Sequence, residues 1–491
     1  MADAFIAGLN EQEQQRYQKL ERLRARGINP YPLRATRTHT AQQALDAFKR
    51  GEALTGVKLV GRLVALRDMG KLCFAHLQDG TAKIQLMFRK DQVGADNYAL
   101  LVKDFDLGDF IGAEGDVIQT KTGEITLQVA RFELLAKALA PLPEKWHGLK
   151  DTETRYRQRY LDLLANPDVR EIFIKRSKIV TAMRQYLNEH GFLEVETPVL
   201  QPLYGGGAAE PFITHHNKLD RDMYLRIADE LYLKRLLVGG YERVYEISKD
   251  FRNEGIDFKH NPEFTMMECY QAYADYTDMM ALVEGLYCAC SLAANGTLNI
   301  TYQGHNIDLT PPWPRVTMRD LILKTSGVDI YRETDLPALR QRIAELDLKV
   351  ETQPTWGKTV DKLFEAYAEP TLIQPTFVMD YPEEISPFAK KKPDNPRVVE
   401  RFEAFSLHME LGNAFTELND PIDQYARFME QAEQRQAGDK EAHPLDLDFI
   451  QALMHGMPPT GGLGVGVDRM VMLLTDQASI REVILFPQLR T

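Results

Sequence analysis

From residue 56 to residue 135 the chain alternates in character. Val57, Leu59, Gly61 and Leu63 fall at every second position. Ile84, Leu86 and Phe88 alternate with Lys83, Gln85 and Met87, and Ile125, Leu127 and Val129 alternate with Glu124, Thr126 and Gln128. A period of two in short runs, broken at Asp79-Gly80 and Thr122-Gly123, predicts strands joined by tight turns, the pattern of a small closed barrel such as an OB-fold. Ahead of it, residues 11–26 are dense in Glu, Gln, Lys and Arg, with Tyr17, Leu20 and Leu23 at three-residue steps. This predicts a polar helix with a thin apolar stripe, stopped by Gly27 and Pro30. Six Arg or Lys lie between Arg16 and Arg34, so the helix is expected to turn a basic face to solvent or, alternatively, to a polyanion.

Residues 138–149, with Pro141, Pro143 and Gly148, read as a linker. Beyond them, helical periodicity over 172–190 and 224–237 mixes with strands as far as Phe486. The expected organisation is a helical extension (1–50), a barrel (51–137), a linker (138–150) and a large α+β domain (151–491). No repeat of solenoid length interrupts it.

Composition narrows the class. With 44% hydrophobic and 26% charged residues, the chain has the make-up of a soluble globular protein. No apolar run approaches the ~20 residues of a membrane helix, and the first ten residues lack a signal pattern. Four cysteines without a C-x-x-C pair predict neither a disulfide framework nor a cysteine zinc site, and so a reducing compartment, the cytoplasm. The net charge of −12 divides unevenly: residues 1–150 hold 22 basic and 18 acidic side chains, the remainder 37 and 53. A mildly basic front suits phosphates and an acidic body suits a cationic substrate, although a difference of this size also arises by chance.

Several positions carry candidate chemistry. On the barrel, Arg67, Phe74, Gln85 and Glu124 are expected to point outward. An aromatic among hydrogen-bonding groups suits unpaired bases, and equally suits an interface with another domain. In a strand over 263–270, period-two geometry puts Phe264, Met266, Glu268 and Tyr270 on one face; over 412–418 it groups Asn413, Phe415 and Glu417. A buried carboxylate beside rings requires a positive partner, either a ligand ammonium or an internal Lys or Arg. Phe251-Arg252-Asn253-Glu254-Gly255, a polar loop and His260-Asn261-Pro262-Glu263-Phe264 offer Arg252 as a fork for a phosphate or carboxylate, or as half of a surface ion pair. Gly461-Gly462-Leu463-Gly464-Val465-Gly466 leads through Val467 and Asp468 to Arg469 and an apolar helix. Its glycines admit a ligand to the backbone or pack a helix closely on a strand; the order matches neither a P-loop nor a dinucleotide fingerprint. Glu403 and Glu410 are a candidate Mg²⁺ pair, or else surface acids.

Taken together, these segments resemble a class II lysyl-tRNA synthetase from near residue 10 to the end. Gly191-Phe192-Leu193-Glu194-Val195-Glu196-Thr197-Pro198 is similar to motif 1 of that class. Phe251-Arg252-Asn253-Glu254 with His260-Asn261-Pro262-Glu263-Phe264-Thr265 is similar to motif 2, and Gly464-Val465-Gly466-Val467-Asp468-Arg469 to motif 3. The lysine-type signature resides in Tyr224-Leu225-Arg226-Ile227-Ala228, in 263–270, and in Asn413-Ala414-Phe415-Thr416-Glu417-Leu418-Asn419-Asp420.

The resemblance implies an OB barrel joined to a catalytic domain on a mainly antiparallel sheet flanked by helices. It implies ATP, L-lysine and tRNA(Lys) as substrates, Mg²⁺ as cofactor and a homodimer built around motif 1. By the same resemblance Arg252 and Arg469 would be catalytic. Arg252 would hold the α-phosphate and the lysine carboxylate with Asn413, and Arg469 the γ-phosphate. Glu254, His260, Phe264 and Glu403 would complete the ATP site, with Phe264 on adenine; Glu403 and Glu410 would hold Mg²⁺. Glu268, Tyr270 and Glu417, with Phe415, would take the lysine ε-ammonium, and Glu230 and Gly206 its α-amino group. Arg67, Phe74, Gln85 and Glu124 would contact the anticodon.

Three departures stand out: Glu210 where Arg is common, Asp229 where the family often has Pro, and Leu407-His408-Met409 in place of a small or glycine-rich segment. Aspartyl- and asparaginyl-tRNA synthetases share the architecture, but Glu268 and Glu417 would repel an acidic substrate. An enzyme modifying a translation factor would not need the barrel, and an inactive RNA-binding relative would not need Arg252, Arg469, Glu403 and Glu410.

Overall fold

The computed structural model describes residues 2–142, 149–351, 353–436, 438–439 and 442–489. The chain forms two compact units, Met1–Lys150 and Asp151–Thr491. The expected linker falls outside the described residues at 143–148.

In the first unit β1 (Val57–Asp68), β2 (Leu72–Gln78), β3 (Lys83–Arg89), β4 (Phe110–Gln119) and β5 (Ile125–Ala136) close a barrel in the order β1-β2-β3-β5-β4. All neighbours are antiparallel except β3 and β5. Alternation decides the inside: Leu59, Leu63, Ile84, Leu86, Phe88, Leu127 and Val129 are buried together. At Gly115, where β5 bulges against β4 with Ala130 as its extra residue, a Cβ would collide with the Gln128 carbonyl oxygen, so closure of the barrel there requires glycine.

The Glu11–Ala25 helix is capped by Asn10 in a reciprocal box with Glu13 and buries Leu20 and Leu23. Its basic face is divided: Arg22, Arg24 and Arg26 stay exposed, as a solvated helix would have them, while other members reach into the barrel unit. Arg16 donates to the carbonyls of Leu107, Ala138 and Ala140, Lys19 pairs with Asp106 at 2.6 Å and Arg22 with Asp104 at 2.8 Å. The expected solvated face is thus met only in part, because Asp104 and Asp106, 82 and 87 residues further along the chain, draw Arg22 and Lys19 to them.

The second unit is built on an eight-stranded sheet whose strands, in chain order, are β6 (Leu193–Glu194), β10 (Arg243–Phe251), β11 (Glu263–Ala272), β14 (Arg315–Thr317), β15 (Thr376–Met379), β16 (Arg401–Ser406), β17 (Met409–Thr416) and β18 (Thr460–Gly466). The spatial order is β14-β15-β16-β17-β18-β11-β10-β6, antiparallel except for the outer pairs β14/β15 and β10/β6. Three short strands, β7 (Leu200–Gln201), β8 (Ile213–His216) and β9 (Arg221–Leu225), form a separate sheet, and β12 (Asn299–Tyr302) pairs with β13 (His305–Asp308).

Helices Pro167–Glu189, Tyr276–Asn295 and Val467–Leu474 cover one face of the large sheet. Ile179, Met183, Val283, Leu286 and Val471 meet Met267, Cys269, Leu463, Val465 and Ala414 there. The opposite face carries the alternate residues of the same strands; the Glu230–Val238 helix packs on part of it and the rest opens into a pocket. The helix expected over 224–237 begins only at Glu230 and runs to Val238. Tyr224 and Leu225 belong to β9, paired with Gln201 and Leu200, and the intervening Arg226 turns inward to a cluster of acids, a tertiary demand that overrides local helical periodicity. No helix among the described residues is long and apolar enough to cross a membrane.

Candidate active site

The open face forms a pocket of about 660 Å³. Its floor is made by alternation. On β11 the residues Phe264, Met266, Glu268 and Tyr270 face it while Met267 and Cys269 face the helices. On β18, lying between β11 and β17, the facing positions are Gly462, Gly464 and Gly466. A Cβ at Gly462 would collide with Glu417 Oε1 and with the Tyr270 ring. The glycines therefore leave the centre of the floor bare, so that side chains from both neighbouring strands lean over it.

On β17 Asn413 and Phe415 face the pocket, opposite Glu403 and Arg401 of β16. The register slips between Ala404 and Phe405, with Leu411 as the extra residue, and this bulge brings Glu410 to the pocket side as well. The Leu407-His408 corner that joins the two strands takes left-handed backbone at both residues, φ 46° and 60°, conformations that favour glycine.

Two groups of buried charge lie at the floor. In the first, Lys234 of the Glu230–Val238 helix is fully buried and bonds Glu230 at 2.5 Å and Glu417 more closely still. Its ammonium also lies over the rings of Phe388 and Phe415, 5.0 and 5.5 Å from their centroids. In the second, Glu268 accepts from the Tyr270 hydroxyl (3.0 Å) and the Asp229 N–H (3.3 Å). No Lys, Arg or His among the described residues pairs with it. Burial first, then the charges of Asp229, Asp250 and Glu230, push its carboxyl well above the usual range.

Among the described residues, three carboxylates gather within 4.8 Å of one another only at Asp229, Asp250 and Glu268. Glu246 stands opposite Glu268 across β10/β11. Sequence reasoning singled out neither Lys234 nor the pair Glu246 and Asp250. The signals existed: Glu230 and Lys234 are four apart on a helix, and Glu246, Ser248 and Asp250 alternate along β10.

At the mouth, Arg252 makes no ion pair with any described residue; its guanidinium lies 5.1 Å from the Phe264 ring centroid and donates to the Ile227 carbonyl at 3.4 Å. Arg469, in the first turn of the Val467–Leu474 helix, pairs with Glu410 at 2.8 Å and stands 3.5 Å from His260, which Asp257 holds at 2.8 Å. Glu403 pairs with Arg401 at 2.5 Å, and Arg401 also donates to Asn413. Burial pushes Glu403 up to about 7; Arg401 opposes this and the Glu410 charge adds to it. Glu254, Gly206 and Glu230 line the same pocket. All the expected ATP and lysine positions thus converge on one cavity except Glu403, which lines an adjoining space of about 750 Å³ together with Glu410, His260 and Arg469.

On the barrel, Arg67 pairs in register with Phe74, His76 with Gln85, and Gln85 with Thr126. Gln85 donates to Glu124 at 2.6 Å, Glu124 lies 3.1 Å from His76, and Thr126 donates to Gln85 at 2.7 Å. The four expected positions therefore share one outward stripe across β1, β2, β3 and the turn before β5, joined by His76 and backed by the buried Thr126, both of which sequence reasoning passed over.

The family model described as tRNA synthetases class II (D, K and N) matches residues 151–490, and that described as an OB-fold nucleic acid binding domain matches residues 57–135. The chain is 57% identical over 487 residues to a lysine–tRNA ligase of Roseiflexus sp. (strain RS-1), covering 98% of this chain and 99% of that one. It is 56% identical over 484 residues to the lysine–tRNA ligase of Chloroflexus aurantiacus, with 98% and 99% covered. To that of Bacillus subtilis it is 51% identical over 488 residues, with 98% of each covered.

Proposed function

Because the chain belongs to the class II tRNA synthetases of the aspartate, lysine and asparagine group, we propose that its pocket joins lysine to ATP and passes the lysyl group to tRNA. The activity is ATP-dependent attachment of lysine to tRNA(Lys). In the first step the lysine carboxylate attacks the α-phosphate, giving lysyl-adenylate and pyrophosphate; in the second a terminal ribose hydroxyl of the tRNA takes the lysyl group and AMP leaves. Such chemistry needs position and charge more than covalent help. Arg252, without a counter-ion among the described residues, holds the carboxylate against the α-phosphate. Phe264 stacks on adenine and Arg469 takes the far phosphates, exchanging Glu410 for them. Asn413, Glu254 and His260 complete the fit.

Glu268 carries the choice of lysine. It is the buried carboxylate of this pocket that lacks a cationic side chain, and an ε-ammonium supplies one, with Tyr270 and Phe415 around it. Glu417 and Glu230, already bridged by Lys234, shape the site and turn Glu230 and the Gly206 backbone toward the α-amino group.

Mg²⁺ fits Glu403 and Glu410. Both line the space adjoining the pocket beside the β16/β17 bulge, and the raised Glu403 is held up partly by Glu410, a repulsion that a cation relieves. When bound there, the ion neutralises phosphate charge. The barrel stripe of Arg67, Phe74, Gln85 and Glu124 binds the anticodon in this proposal, with residues 51–137 as the anticodon-binding domain and 1–50 as its helical extension. The four cysteines, all free, accord with the cytoplasm.

ATP–pyrophosphate exchange with each of the twenty amino acids tests the reading; exchange driven best by anything other than lysine would refute it. A homodimer is also part of the proposal, supported by exposed apolar side chains around motif 1: Leu193, Val199, Leu200, Ile213 and Tyr241. Sedimentation equilibrium at micromolar concentration should give twice the chain mass, and a fully active single-chain species would overturn it.

A further inference from the structure

Resting on the reading of Glu268 as the ammonium site, we propose that lysine binding expels a proton from the Asp229–Asp250–Glu268 cluster, which makes Asp229 a positioning residue that ties lysine affinity to pH. The three side chains are 0%, 0% and 6% exposed, and their oxygens gather within 4.8 Å. Every element packed on them contributes charge. From the turn after β9, Arg226 reaches Asp229 at 3.0 Å and Asp250 at 3.3 Å. From β10, Glu246 takes the same guanidinium at 2.7 Å, and the Ser248 hydroxyl donates to Asp250 at 3.1 Å. From the end of β10, the Arg252 charge acts on Asp250. From β11, Tyr270 donates to Glu268, and from the helix that starts at Glu230 comes that residue's own carboxylate.

Three carboxylates, Asp229, Asp250 and Glu246, thus share one guanidinium in contact, and Glu268 beside them has no cationic partner among the described residues. One oxygen of Asp229 that Arg226 does not reach, Oδ2, accepts no hydrogen bond, nor does Asp250 Oδ2. Like charges so close, away from water, do not all ionise. Burial, then the neighbouring acids, push Asp229 up to about 8; burial pushes Asp250 up to about 6 against the pull of Arg226 and Arg252. The empty pocket therefore keeps protons in the cluster at neutral pH. An ε-ammonium arriving at Glu268 favours the ionised form, and the proton departs to solvent: one positive charge enters and one leaves. Asp229 does not line the pocket. It acts through Glu268, to which its own N–H donates.

Lysine affinity should accordingly strengthen as pH rises, by up to about tenfold per pH unit while the proton is still held. Calorimetric titration of the full-length protein with L-lysine, in phosphate and in Tris at matched pH between 6 and 8, counts the protons exchanged. About one proton should be released per lysine near pH 7, and none on binding norleucine, which lacks the ε-ammonium. Asp229→Asn should lower the count and flatten the pH dependence of KM for lysine; Asp250→Asn provides the same readout from the other side of Glu268. Lysine binding with no proton release, equal release with norleucine, or full release in both Asn variants would overturn the inference. Failure to bind lysine at all would instead overturn the proposed function on which it rests.

Discussion

The two charge groups under the pocket floor are made of the same material and balanced differently. Around Lys234, two carboxylates share a buried ammonium flanked by two aromatic rings. Around Glu268, the only cation in contact among the described residues is Arg226, which reaches Asp229, Asp250 and Glu246 but not Glu268. The first group carries its own cation before any ligand arrives, so its carboxylates hold the floor together even where Glu230 also faces the α-amino group. The second is short of positive charge at the one carboxylate that faces the cavity, so it answers to whatever cation enters. A buried acid is a binding group when its partner is missing, and a residue of the core when its partner is built in.

The contrast breaks most severely at Lys234. Lys234→Met should strand Glu230 and Glu417 without a counter-charge and cost about 3–5 kcal/mol of stability, read as a lower denaturation midpoint with an unchanged slope. A variant as stable as the parent would show that the ammonium is not what holds the first group together.

At Glu268 the same removal of charge should act on function instead. Glu268→Gln should lose about 2–4 kcal/mol of transition-state binding, a ~30–1000-fold fall in kcat/KM for lysine in pyrophosphate exchange. Norleucine should lose far less, and the melting temperature should hold or rise. An unchanged lysine/norleucine preference would place Glu268 with the structural acids.

The barrel is a control in the other unit. Phe74→Ala should weaken tRNA charging by about 1–3 kcal/mol, the worth of a base stack, while pyrophosphate exchange stays as it was. Equal losses in both half-reactions would mark Phe74 as a support for the fold.

Per pH unit, the smallest effect concerns stability against pH. The folded protein keeps a proton on Asp229 up to about 8, whereas the unfolded chain loses it near the ordinary carboxylate value. Between those limits the native state binds more protons, so this group makes stability fall with rising pH, by at most about 1.4 kcal/mol per unit. Asp229→Asn should flatten the melting temperature between pH 4 and 8, and a parallel curve for parent and variant would refute the assignment.

Much of the site was legible in the strands because a strand's faces follow from period two and nothing else. Phe264, Glu268 and Tyr270 could be grouped from spacing, as could Asn413, Phe415 and Glu417, and the outward stripe of the barrel. The helix over 224–237 was misread at its start, since Arg226 is drawn inward by acids from a strand twenty residues away, and spacing carries no information about partners so distant.

The sequence by itself determined the two architectures, the faces of the main strands and the motif set that marks the family, all properties of local periodicity or of residue order. Only the tertiary structure decided which carboxylates are already neutralised. Lys234 meets Glu417 because a helix and a strand 183 positions apart pack together, Glu410 turns to the pocket because β17 carries one residue more than β16 can pair, and Glu268 remains open because Arg226 is held by three other acids. Charge balance in a buried site is a sum over everything within a few ångströms, and in this chain those neighbours come from segments that sequence order keeps apart.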